Sequence, residues 1–414
     1  MRVEVIGHNM SGTISAIASK SHAHRLLIAG ALCDAKPDVI TGTESEDIKA
    51  TKACLSQLGE ITPVMNCGES GSTLRFMIPV TMALCDEAVF KGSGRLPYRP
   101  LSPLDTEMEK HGCSFEMCTP AGTELQEICR IKGKLQPGDF YIPGNISSQY
   151  ITGLLFALPL LSDNSTLYVT SPLESGKYVD LTLQVLTQFG IKIDIENRDG
   201  CPVYRIGGNQ KYTPPSKTII AEGDWSNAAF WIIAGIIGKG GAIYCDGLSN
   251  SSLQGDKAII ELASQMGGAV NYRYNQYRSC RNQLNAIDID ASEIPDLVPI
   301  LAVAASTANG TTHIYNAGRL RIKESDRLAA VSDCLNKLGA DITEEPEGLI
   351  IRGVPQLKGG TVSGYNDHRI VMAMSIAALV SEAPVIIAGA EAVNKSYPEF
   401  FRDFRYLGGK VNVL

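Results

Sequence analysis

Apolar positions along the chain fall into two kinds of run that alternate strictly. Runs of the first kind are apolar on nearly every face: residues 24–33, 72–85, 149–161, 227–238, 296–306 and 368–380. A helix without a polar face has to be buried all round. Runs of the second kind carry apolar residues on one face and stop at a glycine, at Leu58-Gly59, His111-Gly112, Phe189-Gly190, Met266-Gly267, Leu338-Gly339 and Leu407-Gly408. Glycine just past a helix end supplies the left-handed conformation that closes the last turn. Short strand-like runs fill the gaps, among them 88–92, 166–171, 242–247 and 312–318. Pro79, Pro159 and Pro299 lie inside apolar runs and are expected to kink or shorten those helices.

Six ordered pairs predict six copies of one α/β unit. A chain of 414 residues accommodates two large domains, so three copies per domain follow, with sheets outside and buried helices within.

Composition narrows the function. Hydrophobic residues at 44% and charged residues at 20% are those of a globular chain and exclude disorder. With 37 basic against 44 acidic residues the net charge is −7, which argues against a nucleic-acid binder and leaves room for local basic clusters that hold a small anion. No apolar run reaches about 18 residues, and the opening MRVEVIGHNMSG has no signal-peptide shape, so no membrane partner is expected. Eleven cysteines, none as C-x-x-C, point to reduced thiols in a cytoplasmic protein. The six histidines have no zinc spacing and there is no H-E-x-x-H, so no metal is expected. Walker A, G-x-S-x-G and protein-kinase signatures are missing too, and neither ATP nor NAD is expected.

Polar clusters sit where the apolar runs begin: Lys20-Ser21-x-x-x-Arg25, Glu69-Ser70-Gly71-Ser72, Ser147-Ser148-Gln149, Asp224-Trp225-Ser226-Asn227, Ile294-Pro295-Asp296 and Asn366-Asp367-His368-Arg369. Hydroxyls and acids there read as ordinary N-caps. Caps do not explain the cations Lys20, Arg25, Arg75 and Arg369, which oppose the helix dipole near its positive end. An anion bound at the same ends would explain them, since free N–H groups already favour negative charge. The densest cluster, Arg319 to Arg327, reads as a solvated face or as a proton-transfer site, with Glu324 between Lys323 and Arg327. Asp296 is a second carboxylate candidate, or a plain N-cap.

At these residues the sequence resembles the 5-enolpyruvylshikimate-3-phosphate synthase (3-phosphoshikimate 1-carboxyvinyltransferase) family over its whole length. Lys20-Ser21-x-x-x-Arg25, Ser147-Ser148-Gln149, Lys323-Glu324-Ser325-Asp326-Arg327, Asn366-Asp367-His368-Arg369 and Lys395-Ser396-Tyr397-Pro398 match family motifs in order. The resemblance implies two inside-out α/β domains of three βαβαββ repeats each. Residues 19–222 would form one, and residues 1–18 with 223–414 the other, with the active site in the cleft between them. It implies transfer of the carboxyvinyl group of phosphoenolpyruvate to the 5-hydroxyl of shikimate 3-phosphate, through a tetrahedral intermediate and without cofactor or metal. It implies a monomeric cytoplasmic enzyme of chorismate and aromatic amino-acid biosynthesis, inhibited by glyphosate.

By the same resemblance, shikimate 3-phosphate is held by Lys20, Ser21, Arg25, Ser147, Ser148, Gln149, Ser175, Tyr178, Asp296 and Lys323. Phosphoenolpyruvate is held by Lys20, Gly71, Arg99, Gln149, Arg327, Arg369 and Lys395. Asp296 and Glu324, with Lys323 close by, carry the acid–base work; which is acid and which is base stays open. Two positions commonly asparagine in the family are Glu69 and Arg319 here. The alternatives are the sister transferase acting on UDP-N-acetylglucosamine, which usually carries a loop cysteine and an asparagine where Ser21 stands, and a non-enzymatic anion-binding repeat protein.

Overall fold

The computed structural model describes every residue except His8. Among the described residues, twelve α-helices alternate between the two kinds read from the pattern. In chain order they are α1 (Lys20–Ala31), α2 (Glu46–Ser56), α3 (Gly71–Leu84), α4 (Leu104–Glu109), α5 (Ser148–Ala157), α6 (Gly176–Gln188), α7 (Trp225–Ile237), α8 (Ile259–Gln265), α9 (Val298–Ala305), α10 (Arg327–Lys337), α11 (His368–Ala377) and α12 (Phe400–Tyr406). The odd-numbered helices are the enclosed ones: every residue of α7, α9 and α11 is buried. The even-numbered helices keep one wet face, and the six glycines after them all have positive φ, from 79° to 109°.

The chain divides into two compact units, one of Lys20–Ala221 and one of Met1–Ser19 with Glu222–Leu414. Five four-stranded sheets share one strand order. In the Lys20–Ala221 unit, for example, Val64–Asn66 runs parallel to Glu87–Gly92, which pairs antiparallel with Gln126–Lys132, and that strand with Ser114–Met117. In each sheet a buried helix precedes the second strand of the parallel pair, and in four of the five a hairpin follows the amphipathic helix. The copy built on α1 and α2 is abbreviated to two parallel strands, Asp38–Ile40 and Thr218–Ile220. Between α2 and the strand at Val64 stand only residues 57–63, too short a stretch for a strand hairpin.

In the other unit, one sheet closes on the ends of the chain. Arg2–Ile6 lies between Val385–Ala388 and Lys410–Val413, antiparallel to both.

The three prolines act differently. Pro299 falls in the first turn of α9, where its missing N–H costs nothing. Pro159 lies in the 3-10 turn after α5 has ended. Pro79 was expected to kink or shorten α3, yet the helix continues five residues past it to Leu84. Pro79 removes the N–H that would bond the Arg75 carbonyl, and Gly153 of α5 packs at that carbonyl. A Cβ built on Gly153 would stand 2.5 Å from Arg75 O and 3.1 Å from Pro79 Cγ. The two departures from ideal helix chemistry fit one another.

Candidate active site

In the Glu222–Leu414 unit, chemistry gathers where the buried helices begin. Asp296 lies in the 3-10 turn Pro295–Leu297 ahead of α9 and makes no helix cap. The plain N-cap reading is thereby replaced: its Oδ1 accepts from Arg327 Nη1 at 2.6 Å and its Oδ2 from Arg369 Nη2 at 3.1 Å. Arg327 is the first residue of α10, behind the cap Asp326. It also donates to Glu324 Oε2 at 2.8 Å and, through Nε, to Asp367 Oδ2 at 2.8 Å. One guanidinium, 2% exposed, thus aligns three carboxylates. Asp367, fully buried, caps α11 through Arg369 N and accepts from Ser325 Oγ at 3.0 Å.

Charge state follows from this packing. Burial alone would raise the Asp296 carboxyl, but Arg369, Arg327 and Lys323 together hold it well below the usual carboxylate range. Burial pushes the Lys323 ammonium down to about 8, with Asp296 opposing the shift. Lys395, on the 3-10 segment Ala390–Lys395, is tied to the loop before α11 by a 2.6 Å bond to Asn366 O. The Ser226 hydroxyl donates to Asp256, and Ser226 O accepts from Arg369 Nη1 at 3.3 Å. Arg319 reaches Ser292 O at 2.7 Å.

A second set of cations stands in the Lys20–Ala221 unit. Lys20 opens α1 and pairs with Asp47 of α2 at 2.8 Å. Arg25 lies in the second turn of α1. It is 2% exposed and donates to Thr182 Oγ1 (2.8 Å), Ser21 O (2.6 Å) and Tyr178 O (2.9 Å), which fastens α1 to α6. Ser175, buried, takes a left-handed φ of 55° just before α6. Ser147 caps α5 by accepting from Gln149 N, and Ser148 is the first residue of that helix. Gln149 accepts from Arg75 Nη1 at 2.7 Å and donates to Ser72 Oγ at 3.0 Å, so the starts of α5 and α3 are tied together.

Gly71 is the first residue of α3, and two guanidiniums cover it. A Cβ there would stand 2.6 Å from Arg99 Nη1 and 3.1 Å from Arg75 Nη1. Two cations over a helix N-terminus make a place for an anion. Glu69 lays its carboxyl against Gly94, where a Cβ would meet Oε2 at 2.2 Å. A buried hydroxyl chain supports the same end of α3: His24 Nδ1 to Thr51 Oγ1 (2.7 Å), Thr51 to Thr73 Oγ1 (2.7 Å), and Thr73 to the cap Ser70 (2.8 Å).

A family profile described as EPSP synthase (3-phosphoshikimate 1-carboxyvinyltransferase) matches residues 5–66 and 60–404. The chain belongs to the EPSP synthase family. Among curated EPSP synthase relatives, the 3-phosphoshikimate 1-carboxyvinyltransferase of Clostridium acetobutylicum is 43% identical over 97% of this chain and 96% of that one. The enzyme of the same name from Clostridium novyi is 41% identical over 99% and 98%. An EPSP synthase from Acinetobacter baumannii shares the fold with a TM-score of 0.78 at 23% identity, over 100% of both chains. The enolpyruvyl transferase NikO from Streptomyces tendae shares it with a TM-score of 0.76 at 16% identity, over 99% and 98%.

Within this EPSP synthase framework, four side chains joined to the expected residues had not been selected from the sequence: Asp47, Arg75, Asp256 and Asp367. Arg75 had a signal as a cation near a helix start. Asp367 had the signal of a cap, which it is; its second role, holding Arg327, is tertiary. Asp47, in the first turn of α2, had only the signal of helix-start chemistry, and Asp256 had none.

Proposed function

We infer that the chain transfers the carboxyvinyl group of phosphoenolpyruvate to the 5-hydroxyl of shikimate 3-phosphate and releases phosphate. The observation that carries this reading is the buried Arg327 aligning Asp296, Glu324 and Asp367 beside Lys323 and Arg369. Proton transfer to a carbon of an anionic substrate needs titratable carboxyls held among cations, and that arrangement provides both.

The steps balance as an addition followed by an elimination. A proton is added to the methylene carbon of phosphoenolpyruvate, and positive charge develops at its neighbouring carbon. The 5-hydroxyl oxygen of shikimate 3-phosphate bonds to that carbon and gives up its proton. Phosphate then leaves with the electron pair of its C–O bond, a proton leaves the methyl carbon, and the vinyl ether forms. Asp296, held ionised by two arginines, suits the role of base and of counter-charge to the developing cation. Glu324, ion-paired with Arg327 and partly exposed, suits the acid. Arg99, Arg369, Arg327, Lys20 and Lys395 would bind the carboxylate and phosphate of phosphoenolpyruvate, with Gly71 leaving space. Lys20, Ser21, Arg25, Ser147, Ser148, Gln149, Ser175, Tyr178 and Lys323 would bind shikimate 3-phosphate.

One copy of the chain supplies every named group, which supports a monomer acting on small molecules. Among the described residues no helix is long and apolar enough to cross a membrane. The eleven cysteines stand as free thiols, which supports the cytoplasm as the compartment. A coupled phosphate-release assay tests the reading. Release with phosphoenolpyruvate plus shikimate 3-phosphate, and none with UDP-N-acetylglucosamine, is the expected result; the reverse would assign the chain to the sister reaction.

A further inference from the structure

Asp256 stands behind the phosphoenolpyruvate cations and has no part in the reading above. It lies on the 3-10 segment Gly255–Ala258 and is 1% exposed. Its Oδ2 accepts from the Ser226 hydroxyl, while its Oδ1 is shut off from solvent with no hydrogen-bond partner among the described residues. No cation lies within ion-pair distance of it among those residues. An ionised carboxylate with one oxygen unserved in the interior is costly, whereas in the neutral acid Oδ2–H can donate to the Ser226 hydroxyl oxygen and only the carbonyl oxygen Oδ1 is left unserved.

The surroundings push the same way. Burial comes first and the Asp296 carboxylate second in raising the Asp256 carboxyl, to about 7; Asp224 adds to this, and Arg369 and the Ser226 hydroxyl oppose it. Those are the charged and polar groups facing it from α7, from the turn before α9 and from α11. Lys257, next to it on its own segment, turns away to Asn250 O. Ser226 is shared: its hydroxyl serves Asp256 and its carbonyl serves Arg369.

We propose that Asp256 is a positioning residue whose neutral form leaves Arg369 to phosphoenolpyruvate, and that on ionising it competes with phosphoenolpyruvate for the Arg369 guanidinium. The competition is electrostatic: a second buried negative charge beside Asp296 draws on the same cation and repels an incoming anion. Shikimate 3-phosphate is assigned no contact with Arg369, so its binding serves as the internal control. This inference rests on the proposed reaction.

The test compares wild type with Asp256→Asn, which keeps the shape and cannot ionise. Michaelis constants for both substrates are measured from about pH 6 to about pH 8.5. The wild-type to variant ratio cancels the titration of phosphoenolpyruvate itself. For phosphoenolpyruvate that ratio should rise roughly five- to tenfold across the range, whatever its value at the acid end, and for shikimate 3-phosphate it should stay flat. A flat ratio for both, or a parallel rise for both, overturns the proposal. Ser226→Ala removes the hydrogen bond that favours the ionised form, so the rise should begin at higher pH; an earlier onset overturns it as well. Protonation is read independently of turnover. The infrared difference between wild type and Asp256→Asn should contain the carbonyl band of a neutral carboxylic acid at about pH 6 that fades as pH rises through about 7. Absence of that band overturns the proposal even if turnover is normal. Absence of turnover in wild type with the band present removes the proposed reaction instead.

Discussion

Arg327 meets three carboxylates at once, so each of those acids is held where the others leave it. Glu324 is the one whose proton the reaction uses on this reading, and Glu324→Gln keeps the bond to Arg327 while losing the proton. Turnover should fall by about 100-fold or more with binding of both substrates within a few-fold of wild type, measured by steady-state kinetics. Gly71→Ala acts on a neighbour: the new methyl would push Arg99 Nη1, now 2.6 Å from the Cβ position. The expected result is a rise of roughly tenfold in the phosphoenolpyruvate Michaelis constant and weaker glyphosate inhibition, with kcat changed far less, because an arginine has been displaced rather than removed. Asp47 and Asp367 show why part of the site could not be read from sequence. Locally each looks like helix-start chemistry, and their cations come from 27 and 40 residues away in the chain. Arg25 carries a tie that the sequence did not show: besides the ligand role proposed for it, its guanidinium donates to Thr182, Ser21 and Tyr178.

Helices α3 and α5 are the elements on which the anion end of the Lys20–Ala221 unit depends. Their starts are linked through Gln149, and their middles meet at Gly153. Gly153→Ala has no room, since the contact is backbone to backbone. We expect it to destabilise by about 1–3 kcal/mol, seen as an earlier midpoint in urea, and to weaken phosphoenolpyruvate binding through Arg75. The apolar runs were legible because a helix without a polar face has only one place to go. The glycine stops were legible because a left-handed residue after a helix favours glycine. The shortened α1–α2 copy was not legible. Its missing hairpin is an absence between two elements, and hydrophobic periodicity registers what is present. Pro79 was misleading because its effect on α3 is absorbed by a glycine 74 positions later in the chain.

For the molecule as a whole, the expected binding groups are divided between two units that the chain enters and leaves at Ser19–Lys20 and Ala221–Glu222. On the proposed reading shikimate 3-phosphate needs Lys20 and Gln149 from one and Lys323 from the other. A ligand that orders groups which the second ligand also uses, Lys20 among them, should favour the binding of the second. Glyphosate should bind at least tenfold more tightly with shikimate 3-phosphate present, and by linkage the reverse should hold to the same degree. Titration calorimetry with and without the first ligand checks the coupling, and equal affinities would refute it.

The strand Arg2–Ile6 has a consequence for how the chain acquires its structure. It is made long before either strand it pairs with, Val385–Ala388 and Lys410–Val413. During synthesis the Lys20–Ala221 unit has all its partners long before the other does. We therefore expect the Lys20–Ala221 unit to fold first on the ribosome, with the strand Arg2–Ile6 unpaired until its partners are made. That strand alternates buried Val3 and Val5 with the more exposed Arg2 and Glu4. The charges on every second residue are what keep a waiting edge from pairing with another chain.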